Sequence, residues 1–302
     1  MKSLRILLLP FSWLYGMVVL LRNFLFDIGL LKSRTVNLPV ICIGNLNTGG
    51  TGKTPHTEYL LSVLSNFKTA VVSRGYGRNT KGIAEVQINS EAKETGDEPL
   101  QIKRKFQSVP FIVSEKRSEG IDYLLEHYPQ TEVVLLDDAF QHRSVKAGLN
   151  LLLTQFNDLF INDYLLPAGN LREPVLSSSR ADVIIVTKCP STIKKKKKKS
   201  IISQLPAKPV FFSSFQYGNL QSLNSDKKLN LSELSAYEIL LITGIASNKN
   251  LLHFLSAHSR KTIVLTFKDH HNYCAKDFKN ITVVFNNLAS EKKIIVVTEK
   301  DA

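Results

Sequence analysis

Ile41-Cys-Ile-Gly-Asn-Leu-Asn47-Thr-Gly-Gly-Thr-Gly-Lys53-Thr54 decides the fold of this chain. An apolar run enters a glycine-rich loop ending in Gly-Lys-Thr, and helical periodicity begins at Pro55. In that context Asn47, Thr48, Gly49, Gly50, Thr51, Gly52, Lys53 and Thr54 form a phosphate-binding loop. Glycines free the backbone N–H groups to face phosphate oxygens, and the following helix adds the positive end of its dipole. Lys53 would reach the β- and γ-phosphates of ATP, and the Thr54 hydroxyl would ligate Mg²⁺. Asn47 stands where the G-x-x-x-x-G-K-[ST] pattern begins with glycine. The chain is expected to bind a nucleoside triphosphate.

Outward from the loop, short apolar or β-branched runs alternate with helical stretches. Strands are predicted at Thr69–Ser73, Pro110–Val113, Val133–Leu136, Asn150–Leu153, Asp182–Thr187 and Val210–Phe215, with helices at Glu98–Phe106 and Arg117–His127. Such alternation predicts an α/β fold, a phosphate-loop NTPase-type parallel sheet with helices on both faces. The stretch from Gln216 to Glu233 reads as a linker. A second alternation then predicts a smaller α/β domain: Ile239–Thr243, Asn250–His258, Thr262–Phe267, Ala275–Leu288 and Ile294–Thr298. The expected domains are 1–35, an N-terminal apolar helix; 36–215, the phosphate-loop domain; and 216–302, the smaller unit. Because the sequence stops at Thr298-Glu-Lys-Asp-Ala302 straight after a predicted strand, the last unit is expected to lack a closing helix.

Residues Ile6 to Leu21 form an uncharged run of 16 between Arg5 and Arg22. Spanning a bilayer takes about 17–25 apolar residues, so the length is borderline. A helix starting after Pro10 gathers Ser12, Gly16, Asn23 and Asp27 on one narrow stripe and leaves the rest mostly apolar. This pattern suits a helix lying in a membrane interface. No small-residue cleavage site follows, which argues against a signal peptide. The segment is expected to attach the protein to the cytoplasmic face of a membrane, peripherally or as a single-helix anchor.

The net charge of +13 makes an anionic membrane surface a fitting partner, and the Lys194–Lys199 run supplies nearly half of it. That run reads as a solvated surface loop. No aromatic residues interleave with it, so no nucleic-acid groove is implied, and nothing implies a protein partner. Cys42, Cys189 and Cys274 are odd in number and lack metal-ligand spacing, which points to a reducing compartment.

Val133-Val-Leu-Leu-Asp137-Asp138 is an apolar strand delivering two carboxylates at its C-terminal end, the arrangement with which phosphate-loop enzymes hold Mg²⁺. In Gly96-Asp97-Glu98-Pro99 a carboxylate opens a helix, as a cap or as a base for a substrate hydroxyl. Asp269-His270-His271 follows a strand of the second domain, and one histidine could orient that base. Arg74, Arg117 and Arg172 suit phosphate recognition by guanidinium forks, or surface ion pairs.

Taken together, Gly44-Asn45, Gly-Gly-Thr-Gly-Lys-Thr-Pro55, Ser73-Arg-Gly-Tyr-Gly77, Gly96-Asp-Glu-Pro99, Asp137-Asp-Ala-Phe-Gln-His142, Leu166-Pro-Ala-Gly-Asn-Leu-Arg-Glu-Pro174, Val186-Thr-Lys-Cys-Pro190, Asp269-His-His271 and Thr298-Glu-Lys-Asp301 resemble the tetraacyldisaccharide 4'-kinase family, the lipid A 4'-kinases of Gram-negative bacteria. The motifs keep family order across residues 1–302. The resemblance implies transfer of the ATP γ-phosphoryl group to the 4'-hydroxyl of a lipid-linked tetraacylated glucosamine disaccharide 1-phosphate at the inner membrane. It implies catalytic roles for Asp97, His270 and Lys53, a metal region at Thr54, Asp137 and Asp138, and a substrate pocket lined by Arg74, Tyr76, Arg117, His142, Asn170 and Arg172. Ala139 departs from the glycine usual after the acidic pair. The rival reading is a nucleotide-switched, membrane-associated ATPase of the partitioning type. Such proteins carry a signature lysine before the paired glycines, where this chain has Thr48.

Overall fold

The computed structural model describes residues 5–245, 248–268, 271 and 273–302. The chain divides into two compact units, Met1–Phe215 and Gln216–Ala302.

In the larger unit the apolar runs become β1 (Val40–Asn45), β2 (Thr69–Ser73), β4 (Phe111–Val113), β5 (Val133–Asp137), β6 (Leu149–Gln155), β7 (Val183–Cys189) and β8 (Val210–Ser214). These strands pair in parallel, and the two-residue β3 (Ala84–Glu85) joins antiparallel at the edge. Sheet order is β3-β4-β2-β5-β1-β6-β7-β8, so the glycine loop leaves a central strand. Central strands covered on both faces need apolar residues at successive positions, which is why these segments lack strict alternation.

Helices cover both faces. One face carries α2 (Lys53–Val63) and α4 (Asp97–Lys105), the latter preceded by the single turn α3 (Ala92–Thr95). The other carries α5 (Arg117–His127) and α6 (Lys195–Ile202), with Ile121, Leu124, Ile201 and Leu205 in one core with Val72, Leu136 and Leu152. Each fully buried Leu or Ile contributes roughly 1.5–3 kcal/mol relative to exposure. The lysine run is therefore helical and not the loop read from sequence. Lysine is a good helix former, and Ile201 anchors the segment at its end.

The N-terminal helix α1 (Leu9–Asp27) follows a short 3₁₀ turn at Ile6–Leu8. Over Ile6–Asp27 it is long and apolar enough to cross a membrane, with a mean hydropathy of 1.5. Its buried side is the stripe of Ser12, Gly16 and Asn23 together with Val19. Ser12 Oγ donates to the Leu165 carbonyl at 2.9 Å and accepts from the Ala168 N–H at 3.0 Å. The Tyr15 hydroxyl donates to the Arg172 carbonyl. The opposite side leaves Phe11, Trp13, Leu14, Met17, Val18 and Leu21 exposed. An amphipathic helix of a soluble core is oriented the other way round.

The smaller unit is a three-stranded parallel sheet, β11 (Glu238–Thr243) between β12 (Lys261–Thr266) and β13 (Lys293–Val297). It carries α7 (Lys249–His258) and α8 (Ala275–Asn286). The stretch read as a linker contains an antiparallel ribbon, β9 (Leu220–Gln221) with β10 (Lys228–Leu229), and a 3₁₀ segment at Leu231–Ala236.

Candidate active site

Parallel pairing sets Ile43 opposite Asp137, so the glycine loop and the two carboxylates leave the sheet at the same edge. Gly49 and Gly52 adopt φ of +112° and +91°, left-handed geometry that other residues rarely take, and α2 starts at Lys53. Around them the loop is pinned from several sides. Thr187 Oγ1 donates to the Thr51 carbonyl at 2.7 Å, and the Thr48 N–H donates to the Asn170 carbonyl at 2.7 Å. His56 Nδ1 lies 2.6 Å from the Gly52 carbonyl, and its Nε2 lies 3.0 Å from Ser213 Oγ. A carbonyl only accepts, so Nδ1 carries the proton; burial lowers this pKa and keeps the ring neutral.

Asn47 is buried, bridged to Leu171, and its amide nitrogen donates to Asp163 Oδ2 at 3.2 Å. Side chain and backbone of Asn47 therefore both fasten the start of the loop, the side chain to Asp163 and the backbone to Leu171 and the Asn45 amide. Asn170 behaves likewise. Its amide nitrogen goes to Asp163 and its amide oxygen accepts from Arg5, while its carbonyl steadies Thr48.

Lys53 Nζ reaches Asn45 Oδ1 at 3.3 Å and Asp138 Oδ1 at 3.6 Å. Arg172 grips the same carboxylate with both terminal nitrogens, at 2.8 and 3.3 Å, and also donates to Asn45 Oδ1. Desolvation would raise the Asp138 carboxyl, but Lys53, Arg172 and Arg117 outweigh it and hold it at about 2. Asp137 is fully enclosed, accepting from Thr57 Oγ1 at 3.0 Å and Ser73 Oγ at 3.4 Å. Burial, then the neighbouring Asp138 charge, pushes it up to about 6 despite Lys53. Asp138 sits at φ +46°, so the chain turns sharply after β5. A Cβ on Gly44 would lie 2.6 Å from Phe140 Cβ, which is why only glycine fits beside that turn. Ala139 is buried and is not among the residues with positive φ, so its methyl group is accommodated after the acidic pair.

Arg117 was expected to contact substrate, yet it is fully buried. Its guanidinium donates to the carbonyls of Ser114 at 2.8 Å, Asp137 at 3.3 Å and Asp138 at 3.5 Å. It holds the carboxylate turn in place from behind. Burial lowers its pKa to about 10, leaving it charged at neutral pH. His142 follows the same turn. Burial, then the charges of Arg117 and Arg74, drives its pKa to about 4. Arg74 and Tyr76 are exposed on the loop after β2. That loop packs against the start of α4: a Cβ on Gly75, at φ +69°, would lie 2.7 Å from the Thr95 carbonyl. Asp97 is thereby fixed as the first residue of α4, and the next residue, Glu98, is near enough to raise the Asp137 pKa. His270 lies outside the described residues. His271, in the smaller unit, stacks on Phe267 and lies 2.9 Å from Asp277 Oδ2.

Asn45, Thr57, Gln141, Asp163 and Glu173 were not anticipated. Asn45, Gln141 and Glu173 lie inside the motifs that carry the resemblance, and Thr57 falls one helical turn beyond Lys53 on the sheet-facing side. Glu173 is buried between Arg180 and Arg22, and Gln141 Nε2 donates to the Asn45 carbonyl.

The donor set suits a magnesium nucleotide. Oxygen ligands of Thr54, Asp137 and Asp138 match a hard cation that keeps its remaining positions for phosphate and water. Thr51 Oγ1 is buried at the loop without a partner, and nothing stands within 4 Å of where a Gly49 Cβ would be. No cluster of three or more His, Cys, Asp or Glu occurs among the described residues, so such a metal would depend on the nucleotide for the rest of its shell.

A central parallel strand, a glycine loop, Lys53 on a carboxylate and a second buried carboxylate define a phosphate-loop nucleotide-binding protein. Comparison narrows the class. Residues 4–302 match the model of the tetraacyldisaccharide-1-P 4'-kinase family. A tetraacyldisaccharide 4'-kinase of Bacteroides fragilis is 50% identical over 98% of this chain and 81% of its own length. One of Flavobacterium johnsoniae is 42% identical over 100% and 87%. The crystal structure of LpxK from Aquifex aeolicus in complex with ATP superposes with a TM-score of 0.78 at 31% identity, covering 99% of this chain and 89% of that one. The chain belongs to the tetraacyldisaccharide-1-P 4'-kinase family. This membership sets aside the partitioning-type ATPase.

Proposed function

We propose that this chain transfers the γ-phosphoryl group of ATP to the 4'-hydroxyl of a tetraacylated glucosamine disaccharide 1-phosphate. The observation that carries the reading is Lys53 Nζ at 3.6 Å from Asp138, beside the buried Asp137, at the mouth of the glycine loop. The family match over residues 4–302 supports this acceptor.

Backbone N–H groups of Gly49, Gly50 and Gly52 to Thr54 receive the phosphates, the Thr48 N–H being held by the Asn170 carbonyl, and Lys53 moves from Asp138 to the phosphate oxygens. Thr54, Asp137 and Asp138 would hold Mg²⁺, which would supply charge neutralisation to the phosphates. Asp97 takes the proton of the acceptor hydroxyl; His270, the helper that the resemblance implies, lies outside the described residues. The place of Asp97 at the head of α4, packed against the Gly75 turn, supports that role. Arg74, Tyr76, His142 and Arg172 receive the anionic disaccharide, while Arg117 and Asn170, both expected there, act indirectly by fixing the carboxylate turn and the glycine loop. Phosphoryl transfer of this kind rests on positioning and charge neutralisation, to which base catalysis adds typically 10²–10⁴-fold.

The exposed apolar side of α1 supports attachment to the cytoplasmic membrane face, where ATP is available. The test is incubation with γ-labelled ATP, Mg²⁺ and the detergent-dispersed disaccharide lipid. Label on the lipid is expected; bound ATP without label transfer overturns the reading.

A further inference from the structure

We propose that the lysine helix α6 is a contact for anionic lipid headgroups, acting beside the apolar side of α1. Three observations converge on it. Lys194–Lys199 are all exposed, and among the described residues no carboxylate pairs with them. From Val183 to Phe215 the sequence holds eight lysines and no Asp or Glu. The charge is thus not internally compensated, as it is in an ordinary solvated helix with alternating signs.

Placement is the second observation. Ile201 and Leu205 of this segment join the same core as Leu165, Leu171 and Val175. Those residues belong to the 163–180 stretch on which α1 docks through Ser12, Tyr15 and Asn23. The lysine helix and the stretch that seats α1 therefore belong to one core on one face of the sheet. They also share an end. The lysines follow the C-terminal end of β7, and Arg5, just before α1, bonds to Pro167, Gly169 and Asn170 beside the glycine loop.

Chemistry is the third. The ammonium groups of Lys197 and Lys198 lie over the rings of Phe156 and Phe212, at 5.9 and 5.5 Å from the centroids, cation–π contacts that hold these charges at the surface without neutralising them. Ammonium groups are point charges without the guanidinium fork, suited to a diffuse field of phosphodiesters more than to one specific phosphate. Four to eight basic residues beside an interfacial apolar helix are the usual composition of an anionic-lipid contact.

The proposal rests on α1 meeting the bilayer, and vesicle flotation separates the two ideas. The full chain is floated with phosphatidylcholine vesicles, and with vesicles containing about one-third phosphatidylglycerol, at low and high salt. The wild-type chain should bind the anionic vesicles more tightly, with the increment lost at high salt. Replacing all six residues Lys194–Lys199 by Gln preserves helix propensity. This variant should lose roughly tenfold or more in partitioning to anionic vesicles while keeping its binding to neutral ones and its kinase activity in detergent. Equal flotation of variant and wild type overturns the proposal, as does wild-type binding indifferent to headgroup charge. Loss of single-stranded RNA binding with unchanged flotation would reassign the helix to nucleic acid. A Trp13→Ser, Met17→Ser variant tests α1 separately through neutral vesicles. Its failure to lose that binding counts against α1 and leaves the salt-sensitive increment as the reading for α6.

Discussion

The Tyr15 hydroxyl donates to the Arg172 carbonyl at 2.7 Å, and the guanidinium of the same Arg172 closes on Asp138. One residue thus joins the apolar N-terminal helix to the carboxylate facing Lys53. The backbone continues the link, because the Arg172 N–H donates to Leu46 and the Asn170 carbonyl accepts from Thr48. The seating of α1 and the shape of the glycine loop are therefore coupled through the 163–174 segment.

Ser12→Val should expose that coupling. It leaves the buried Ala168 N–H without a partner, at a cost of about 1–3 kcal/mol, and takes one of two donors from the Leu165 carbonyl, which keeps the Gly169 N–H. Hydrogen exchange across Leu165–Arg172 should accelerate and the KM for ATP should rise. Unchanged exchange there would mean the helix merely rests on the segment.

For Asp97→Ala the expected outcome is a fall in kcat of about 10²–10⁴-fold with ATP affinity kept, since the carboxylate is assigned to the acceptor hydroxyl and not to the nucleotide. Single-turnover transfer and equilibrium ATP binding measure the two separately. Near-normal turnover removes Asp97 from the mechanism.

Gly75→Ala tests how Asp97 is positioned. The new methyl group would meet the Thr95 carbonyl at 2.7 Å on a backbone at φ +69°. Strain of about 1–3 kcal/mol should lower thermal stability, and displacement of the α4 start should lower kcat with little change in ATP affinity. A stable variant with full kcat would separate the turn from catalysis.

His142 should remain neutral at pH 7 and titrate near its shifted value of about 4, because burial, Arg117 and Arg74 disfavour the imidazolium. The unfolded chain gains this proton near pH 6.5, about the ordinary value. As pH falls from there towards 4, the unfolded state binds more protons and folding stability declines. His142→Gln should flatten that part of the stability curve. An NMR titration of the His142 ring with an ordinary midpoint would contradict the burial argument.

Much of the larger unit is legible in the sequence. Buried parallel strands must be continuously apolar, so β1, β2, β5 and β7 stand out as short β-branched runs between turn residues. Phosphate binding needs φ values that glycine supplies, so the Gly49–Gly52 loop announces itself beside Lys53 and Thr54. Asp137 and Asp138 follow from a strand ending in acids. The polar stripe of α1 is equally visible at helical spacing. All these features arise from local periodicity or backbone sterics, which neighbouring residues encode.

Only the tertiary structure decided which side of α1 is covered, because a stripe of Ser12, Gly16 and Asn23 is buried only if carbonyls such as that of Leu165 are there to pair with it. Likewise it turned Arg117 from an expected substrate contact into a buried brace. It also gave Asn170 to the loop backbone, closed Arg172 on Asp138 and pushed the neighbouring aspartates in opposite directions. Each of these outcomes depends on burial and on partners distant in sequence. Desolvation and charge pairing act through space, and no local pattern carries them.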